Sequence, residues 1–197
     1  MMTRGPSSTA ESHRRRAHAL FGLPAFLLPW LDPRVVLLAA LWAAFLNAFF
    51  LPATALGASW RRPREGWTGG LVVYPLTVAL LALLFRHAPY ALAAGWTAMA
   101  FGDPAAAFWG RLRPFRAWGW NGKKSWGGSL AFFLCAASVI FLAGLRHGFD
   151  PLRSIVLAIP LALGGALIES LPGRLDDNLT VGVGVGALAW LLTGSVG

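Results

Sequence analysis

Long apolar runs separated by short polar loops occupy most of this 197-residue sequence and limit what it can fold into. A helix needs about 20 mainly apolar residues to cross a bilayer, and only helices or closed barrels satisfy every backbone group in lipid. Barrel strands would alternate apolar and polar residues, and these runs do not. The sequence therefore predicts an all-α polytopic membrane bundle. Its expected spans are residues 18–31, 34–56, 69–85, 88–108, 128–145, 152–170 and 179–196.

The first of these seven runs differs from the others. It is short and contains Pro24 and Pro29, so it is expected either to span as a kinked segment or to be re-entrant. No convincing cleavage site follows it, which favours a retained segment over a signal peptide. Residues 1–17 are polar and basic and are expected to form a disordered tail, whereas residues 18–197 are expected to form a single membrane domain.

The distribution of positive charge predicts the orientation. Thirteen of the 17 Lys and Arg residues lie in the tail and in loops of one predicted face, and four lie on the other. By the positive-inside rule, the N-terminus and the basic loop after the fourth span are cytoplasmic, and the C-terminus is outside. The net charge of +9 is then a topology signal and not a nucleic-acid footprint. An integral protein of a bacterial inner membrane is expected.

A carboxylate lies deep in the fourth run. Asp103 follows Gly102, several residues before the basic end of that run. A charge at this depth is costly and usually marks a site or a water-filled cavity. Alternatively, the helix ends early and Asp103 caps a new turn before Pro104. If the stretch is helical, Ala107 and Gly110 share the face of Asp103 and leave room for a ligand or a packed helix.

The loop sequence NGKKSWGGS superficially resembles a phosphate-binding P-loop. The match fails, because Ala117 replaces the first glycine, Lys124 replaces the Ser or Thr, and no strand is predicted ahead of the loop. Free amides at a helix N-terminus can nevertheless bind phosphate, and Ser129 is a candidate cap for the fifth helix. Lys123, Lys124 and Arg111 would add positive charge. The alternative is that such cations only contact anionic headgroups, the interpretation favoured for Arg113 and Arg116.

Acidic residues gather in a third segment, ESLPGRLDDNLTVG, at positions 169–182. Glu169 ends the sixth run, and Asp176, Asp177 and Asn178 begin the seventh. Mg²⁺ is typically held by one or two carboxylates together with phosphate and water. Helix capping by Asp177 or Asn178 is the alternative, but it needs one such residue and leaves Glu169 unexplained.

Weaker signals accompany these three. His18 lies beside arginines at a membrane boundary, where a headgroup contact is as reasonable as a ligand or base. Gly182 and Gly186 are expected to allow close helix packing. The ten tryptophans are expected to be mainly interfacial anchors.

Three segments together resemble a known family. RRRAH, GDPAAAFWGR with NGKKSWGGSLAFF, and ESLPGRLDDNLTVG are similar to blocks of the CTP-dependent lipid-alcohol kinases. That family includes dolichol kinase, phytol kinase and yeast-type diacylglycerol kinase, and is distantly similar to phosphatidate cytidylyltransferases. The resemblance implies a membrane catalytic domain over residues 18–197 that transfers the terminal phosphate of CTP to the hydroxyl of a phytol-like or polyprenol-like prenol, or of diacylglycerol.

The resemblance also implies roles for individual residues. Asp103 and Asp177 would hold Mg²⁺ or orient the hydroxyl, with Glu169 and Asp176 assisting at the metal and Lys124 acting in catalysis. The nucleotide would be bound by the remaining implied residues: Arg111, Lys123, Lys124, Ser125, Gly128, Ser129 and Asn178.

Two other functions remain open from the sequence. A cytidylyltransferase would use the same residues but release pyrophosphate in place of CDP. A transporter of an anionic solute would also carry charge in the membrane, although these polar residues gather at one face and line no path to the other.

Overall fold

Most of the chain is helical. The computed structural model describes residues 17–54, 70–112, 115–173 and 175–194. Within these ranges seven α-helices follow a helical N-terminal segment, Ala17–Trp30, whose second half is a 3₁₀-helix. The helices are α1 Pro33–Phe49, α2 Gly70–Leu84, α3 Pro89–Thr97, α4 Asp103–Leu112, α5 Trp126–Arg146, α6 Pro151–Ser170 and α7 Asp177–Thr193. The predicted all-α membrane bundle is confirmed.

Three described helices are long and apolar enough to cross a bilayer: Pro33–Ala53, Trp126–Arg146 and Pro151–Ser170. The N-terminal segment, α2 and α7 are shorter apolar helices. The N-terminal tail up to residue 16 lies outside the described residues, as do Arg61, Arg62, Arg64, Arg113 and Arg174.

Asp-Pro pairs start two of the long helices. Asp32 Oδ1 accepts a hydrogen bond from the Arg34 amide at 2.8 Å, and Asp150 Oδ1 accepts one from the Arg153 amide at 3.0 Å. In each case proline is the first helical residue, where its missing N–H costs nothing. Asp32 and Asp150 therefore serve as helix caps.

The fourth predicted span contains an irregularity. A π-helical turn, Ala98–Gly102, joins α3 to α4, so the helix runs from Pro89 to Leu112 and does not end at residue 108 as expected. The extra residue in a π turn rotates the succeeding residues about the helix axis, and such turns are frequent at functional sites. Asp103 is the first residue after this turn.

Glycines permit the closest helix contacts. A Cβ added at Gly95 would collide with the carbonyl oxygen of Gly182 and would lie 3.2 Å from the amide nitrogen of Gly186. The predicted role of Gly182 and Gly186 in close helix packing is confirmed. Beneath Asp103, the fully buried ring of Phe132 fills the space left by Gly102 and Gly165.

A two-stranded antiparallel hairpin, β1 Ala117–Trp118 and β2 Asn121–Ser125, precedes α5. The expectation that no strand precedes the fifth helix was wrong. An isolated hairpin is marginal in water, and its Gly- and Lys-rich second strand carries no alternating pattern. Stacking among its own tryptophans and with the first residue of α5 stabilises it instead. The Trp118 ring stacks on Trp120 and Trp126, with centroids 4.5 and 3.7 Å apart.

Aromatic contacts mark one end of the bundle. The Arg146 guanidinium lies 5.1 Å from the Trp30 ring centroid, and Tyr90 contacts His147 edge-on. The end of the N-terminal segment, the start of α3 and the end of α5 therefore lie together. The hairpin lies at the other end of α5. The N-terminal segment consequently runs antiparallel to the α3–α4 helix.

Candidate active site

Lys124 forms an ion pair with two carboxylates that are distant in sequence. Its Nζ lies 2.5 Å from Glu169 Oε1 and 2.7 Å from Asp177 Oδ2. Lys124 comes from β2, Glu169 from the last turn of α6, and Asp177 from the first residue of α7. The basic loop and the acidic segment thus meet at one end of the bundle.

Asp103 joins them from a fourth element. One carboxylate oxygen from each of Asp103, Glu169 and Asp177 can be chosen such that all three lie within 4.8 Å of one another. The π turn before α4 sets the direction in which Asp103 projects. We refer to Asp103, Lys124, Glu169 and Asp177 as the carboxylate–lysine cluster.

The start of α5 fixes Lys124 in place. Ser125 is the N-cap of α5, and its hydroxyl accepts a hydrogen bond from the Gly128 amide at 3.2 Å. The suggestion that Ser129 caps this helix was wrong. Ser129 Oγ instead accepts a hydrogen bond from Trp118 Nε1 at 2.9 Å, because it is already inside the first turn. The helix start therefore attaches directly to the strand that carries Lys124.

The start of α7 is arranged in a similar way. Asp176 is the N-cap, and its Oδ1 accepts hydrogen bonds from the backbone amide of Asn178 and from Asn178 Nδ2, at 2.9 and 2.7 Å. The cap is therefore Asp176, and neither Asp177 nor Asn178 as considered from the sequence. Capping by Asp176 leaves the Asp177 carboxylate to contact Lys124.

The other residues predicted at the site lie around the cluster and not in it. Lys123 and Arg111 are exposed, and Arg111 Nε donates to the carbonyl of Ala107 at 3.1 Å. Gly128 packs against Gly110, where an added Cβ would meet the Gly128 Cα at 3.3 Å. The room predicted beside Gly110 is thus filled by a packed helix.

Charge and burial oppose each other at Lys124. Burial disfavours its ammonium, but the carboxylates of Glu169 and Asp177 outweigh this, so the pKa of Lys124 is raised above its ordinary 10.5. Because the lysine pKa is raised, and as long as the carboxylates are ionised, the stability from this ion pair is fully present below pH 10.5 and is lost as the pH rises through the raised pKa. Lys124 is therefore cationic throughout the neutral range.

The donor set fits a divalent cation. Glu169 is only 3% exposed, and its second oxygen, Oε2, is buried without a hydrogen-bond partner among the described residues. A buried carboxylate oxygen without a partner is costly. Three carboxylates also carry more negative charge than one lysine neutralises. Hard oxygen ligands of this kind suit Mg²⁺.

Two residues that hold the hairpin were not predicted from the sequence. Trp120 Nε1 donates to the carbonyl of Ser170 at 3.1 Å. Asn121 Nδ2 contacts the carbonyls of Ser170 and Leu171 at 3.2 and 3.3 Å. These bonds fasten the hairpin to the end of α6, next to Glu169. The tryptophan-rich stretch WGWNGKKSW was the available signal, but the tryptophans were interpreted only as membrane anchors.

The chain is similar to a curated protein of known activity. It is 35% identical to a phytol kinase from Synechocystis sp. (strain ATCC 27184 / PCC 6803 / Kazusa) over an alignment of 129 residues that covers 61% of this chain. The match covers 53% of that relative, so the chain spans about half the length of the curated protein it matches. No family model and no solved structure matches the chain.

Proposed function

We propose that the protein is a membrane kinase that transfers the terminal phosphate of a nucleoside triphosphate, CTP, to the hydroxyl of a lipid alcohol of the prenol class. The carboxylate–lysine cluster is the observation that carries this proposal, because four charged side chains from four elements converge at one end of an apolar bundle. The similarity to a phytol kinase supports a kinase that acts on such an alcohol.

Phosphoryl transfer depends mainly on positioning and on neutralising charge, and the cluster supplies both. Asp103, Glu169 and Asp177 would hold Mg²⁺, which when bound neutralises phosphate oxygens. Lys124 would then turn from its carboxylate partners toward the phosphates. Lys123 and Arg111, exposed near the same end, are available to the outer phosphates.

The reaction proposed is a single displacement. The lipid hydroxyl oxygen forms a bond to the terminal phosphorus while the bond from that phosphorus to the bridging oxygen breaks. The hydroxyl proton passes to the Asp103 carboxylate oxygen that is not used as a metal ligand, and from there to water, and the products are the lipid monophosphate and CDP. Asp103 is suited to orient the hydroxyl because it begins α4, within the fourth apolar run of the sequence, and lies beside the other two carboxylates of the cluster.

Purified protein incubated with Mg²⁺ and CTP labelled at its terminal phosphate tests the proposal. The substrates offered are phytol, a polyprenol and diacylglycerol. We expect label in a lipid monophosphate and release of CDP. Parallel reactions with labelled ATP and GTP identify the donor.

Two results would contradict the proposal. Release of pyrophosphate with phosphatidic acid as acceptor would establish a cytidylyltransferase. Anion flux through proteoliposomes in the absence of nucleotide, without lipid phosphorylation, would establish a transporter.

A further inference from the structure

A cavity of about 430 Å³ lies between the N-terminal segment, α1 and α2. Its volume falls within the range of about 300–1,000 Å³ usual for small-molecule sites. The lining is almost entirely apolar, and none of the four cluster residues contributes to it. This cavity is thus distinct from the carboxylate–lysine cluster.

The cavity is elongated along α1. The α1 residues that line it recur three or four positions apart, from Val35 and Val36 through Ala39, Ala40 and Ala43 to Asn47. Twelve residues of helix separate Val35 from Asn47, a distance of about 18 Å at 1.5 Å per residue. The alanines leave a channel whose length suits one extended hydrocarbon chain.

Polar side chains gather at one end of this channel. Asn47 Nδ2 donates to the Leu71 carbonyl at 2.8 Å, and one turn later Tyr74 accepts a hydrogen bond from Trp96 Nε1 at 2.9 Å. The His18 ring contacts the Tyr74 ring edge-on, with centroids 4.1 Å apart. Leu31 and Val35 line the opposite end, which is apolar. A ligand with one polar head and a long apolar tail matches this division.

The polar end lies toward the carboxylate–lysine cluster. A Cβ added at Gly22 would collide with the Cβ of Ala100, so the N-terminal segment crosses the α3–α4 helix three residues before Asp103. Because the two run antiparallel, His18, one turn before Gly22, lies on the Asp103 side of that crossing. The Leu31 end lies beside Trp30, at the aromatic end of the bundle.

We propose that this cavity binds the hydrocarbon chain of the lipid alcohol, with the chain parallel to α1 and the hydroxyl at the His18 end. This inference rests on the proposed function for the identity of the ligand. In a bilayer, apolar walls favour a hydrocarbon over water, and the lining along α1, from Val35 to Asn47, is only about 18 Å long. The site should therefore discriminate between lipid alcohols by the length of their hydrocarbon chain.

A chain-length series tests this directly. Val36→Phe narrows the channel at its apolar end, and Ala43→Phe narrows it near the polar end. Leu38→Phe is the matched control, because Leu38 is 67% exposed on the outer face of the same helix. Ten-, fifteen- and twenty-carbon prenols serve as substrates in detergent.

We expect Val36→Phe to lower kcat/KM for the twenty-carbon prenol by about tenfold or more, because the larger side chain displaces several methylenes of the long tail from the channel. The kcat/KM for the ten-carbon prenol should stay within about twofold of the wild-type value. Ala43→Phe should impair all three substrates, and Leu38→Phe none. Two results would overturn the proposal: a Val36→Phe variant whose ratio of kcat/KM between the twenty- and ten-carbon prenols equals that of the wild type, or an Ala43→Phe variant with wild-type kcat/KM for all three.

A binding experiment separates this inference from the proposed function and does not depend on folded variants. A twenty-carbon prenol with a diazirine at the far end of its tail is photolysed with wild-type protein in the absence of nucleotide. We expect labelled peptides at Leu31–Val36, competed by unlabelled prenol, even if no alcohol is phosphorylated. Label confined to lipid-facing residues of α5 and α6, or competed by phosphatidylcholine and not by prenol, would overturn the proposal.

Discussion

At the scale of single residues, the site depends on one lysine that is paired with two carboxylates. Glu169 is nearly fully buried, and Lys124 is its cationic partner within the described part of the chain. Removing one member of a buried ion pair costs about 3–5 kcal/mol, because the other charge is left uncompensated.

Lys124→Met should therefore lower the thermal stability of the purified protein markedly, and Glu169→Gln in the same chain should recover most of the loss without recovering activity. Mg²⁺ should raise the melting temperature of Lys124→Met more than that of the wild type, since the ion has no lysine to displace. Differential scanning fluorimetry in detergent measures both effects. Equal stability of Lys124→Met and the wild type, with no response to Mg²⁺, would contradict this account of the ion pair.

Much of the site was visible in the sequence at this scale, and its finer assignments were not. Asp103, Lys124, Glu169 and Asp177 stood out because charge is costly beside long apolar runs. The resemblance assigned catalysis to Lys124, but choosing it over Lys123 from the residues alone requires knowing that they lie on a strand, where successive side chains point to opposite faces. Similarly, the residue at which α7 begins decides that Asp176 caps the helix and that Asp177 contacts Lys124. That boundary was not predictable to one residue.

At the scale of secondary-structure elements, the β1–β2 hairpin determines where Lys124 lies. Asn121 is a positioning residue, since its amide bonds the end of α6 and it does not contact the cluster. Asn121→Ala removes hydrogen bonds worth about 1 kcal/mol each, so the hairpin should lose its fixed orientation. We expect the KM for the nucleotide to rise by several-fold, to about tenfold, with a smaller change in kcat.

Steady-state kinetics on Asn121→Ala and Asn121→Gln measure this split. The longer amide of Asn121→Gln should restore part of the affinity. A fall in kcat at unchanged KM in both variants would show that Asn121 acts in some other way.

The hairpin and the π turn before Asp103 were the elements that sequence patterns did not predict, because contacts with other helices and not local periodicity stabilise them.

At the scale of the whole molecule, the hairpin and the aromatic contacts of Arg146 lie at opposite ends of α5. The charge distribution predicts that the hairpin end is cytoplasmic.

Seven apolar runs predicted the helices because their length and composition are strong signals, whereas the packing between them was predictable only at Gly182 and Gly186.

Cysteine labelling tests the orientation. In a Cys135→Ala background, Gly119→Cys places a thiol in the hairpin turn, where an added Cβ meets nothing within 4 Å. Arg153→Cys places one at the exposed start of α6. A membrane-impermeant maleimide should label Arg153→Cys in intact cells, and Gly119→Cys only after the membrane is disrupted. The reverse pattern would invert the topology.

In the proposed enzyme, the carboxylate–lysine cluster carries out phosphoryl transfer to a lipid alcohol. The most direct test is the transfer of terminally labelled phosphate from CTP to phytol by purified wild type, Asp103→Asn and Arg153→Gln. Asp103→Asn keeps the shape of the side chain but removes its charge, so we expect the rate to fall by about 100-fold or more. Arg153→Gln, at the opposite end of the bundle, should match the wild type. An Asp103→Asn variant that transfers phosphate at the wild-type rate would contradict a catalytic role for the cluster.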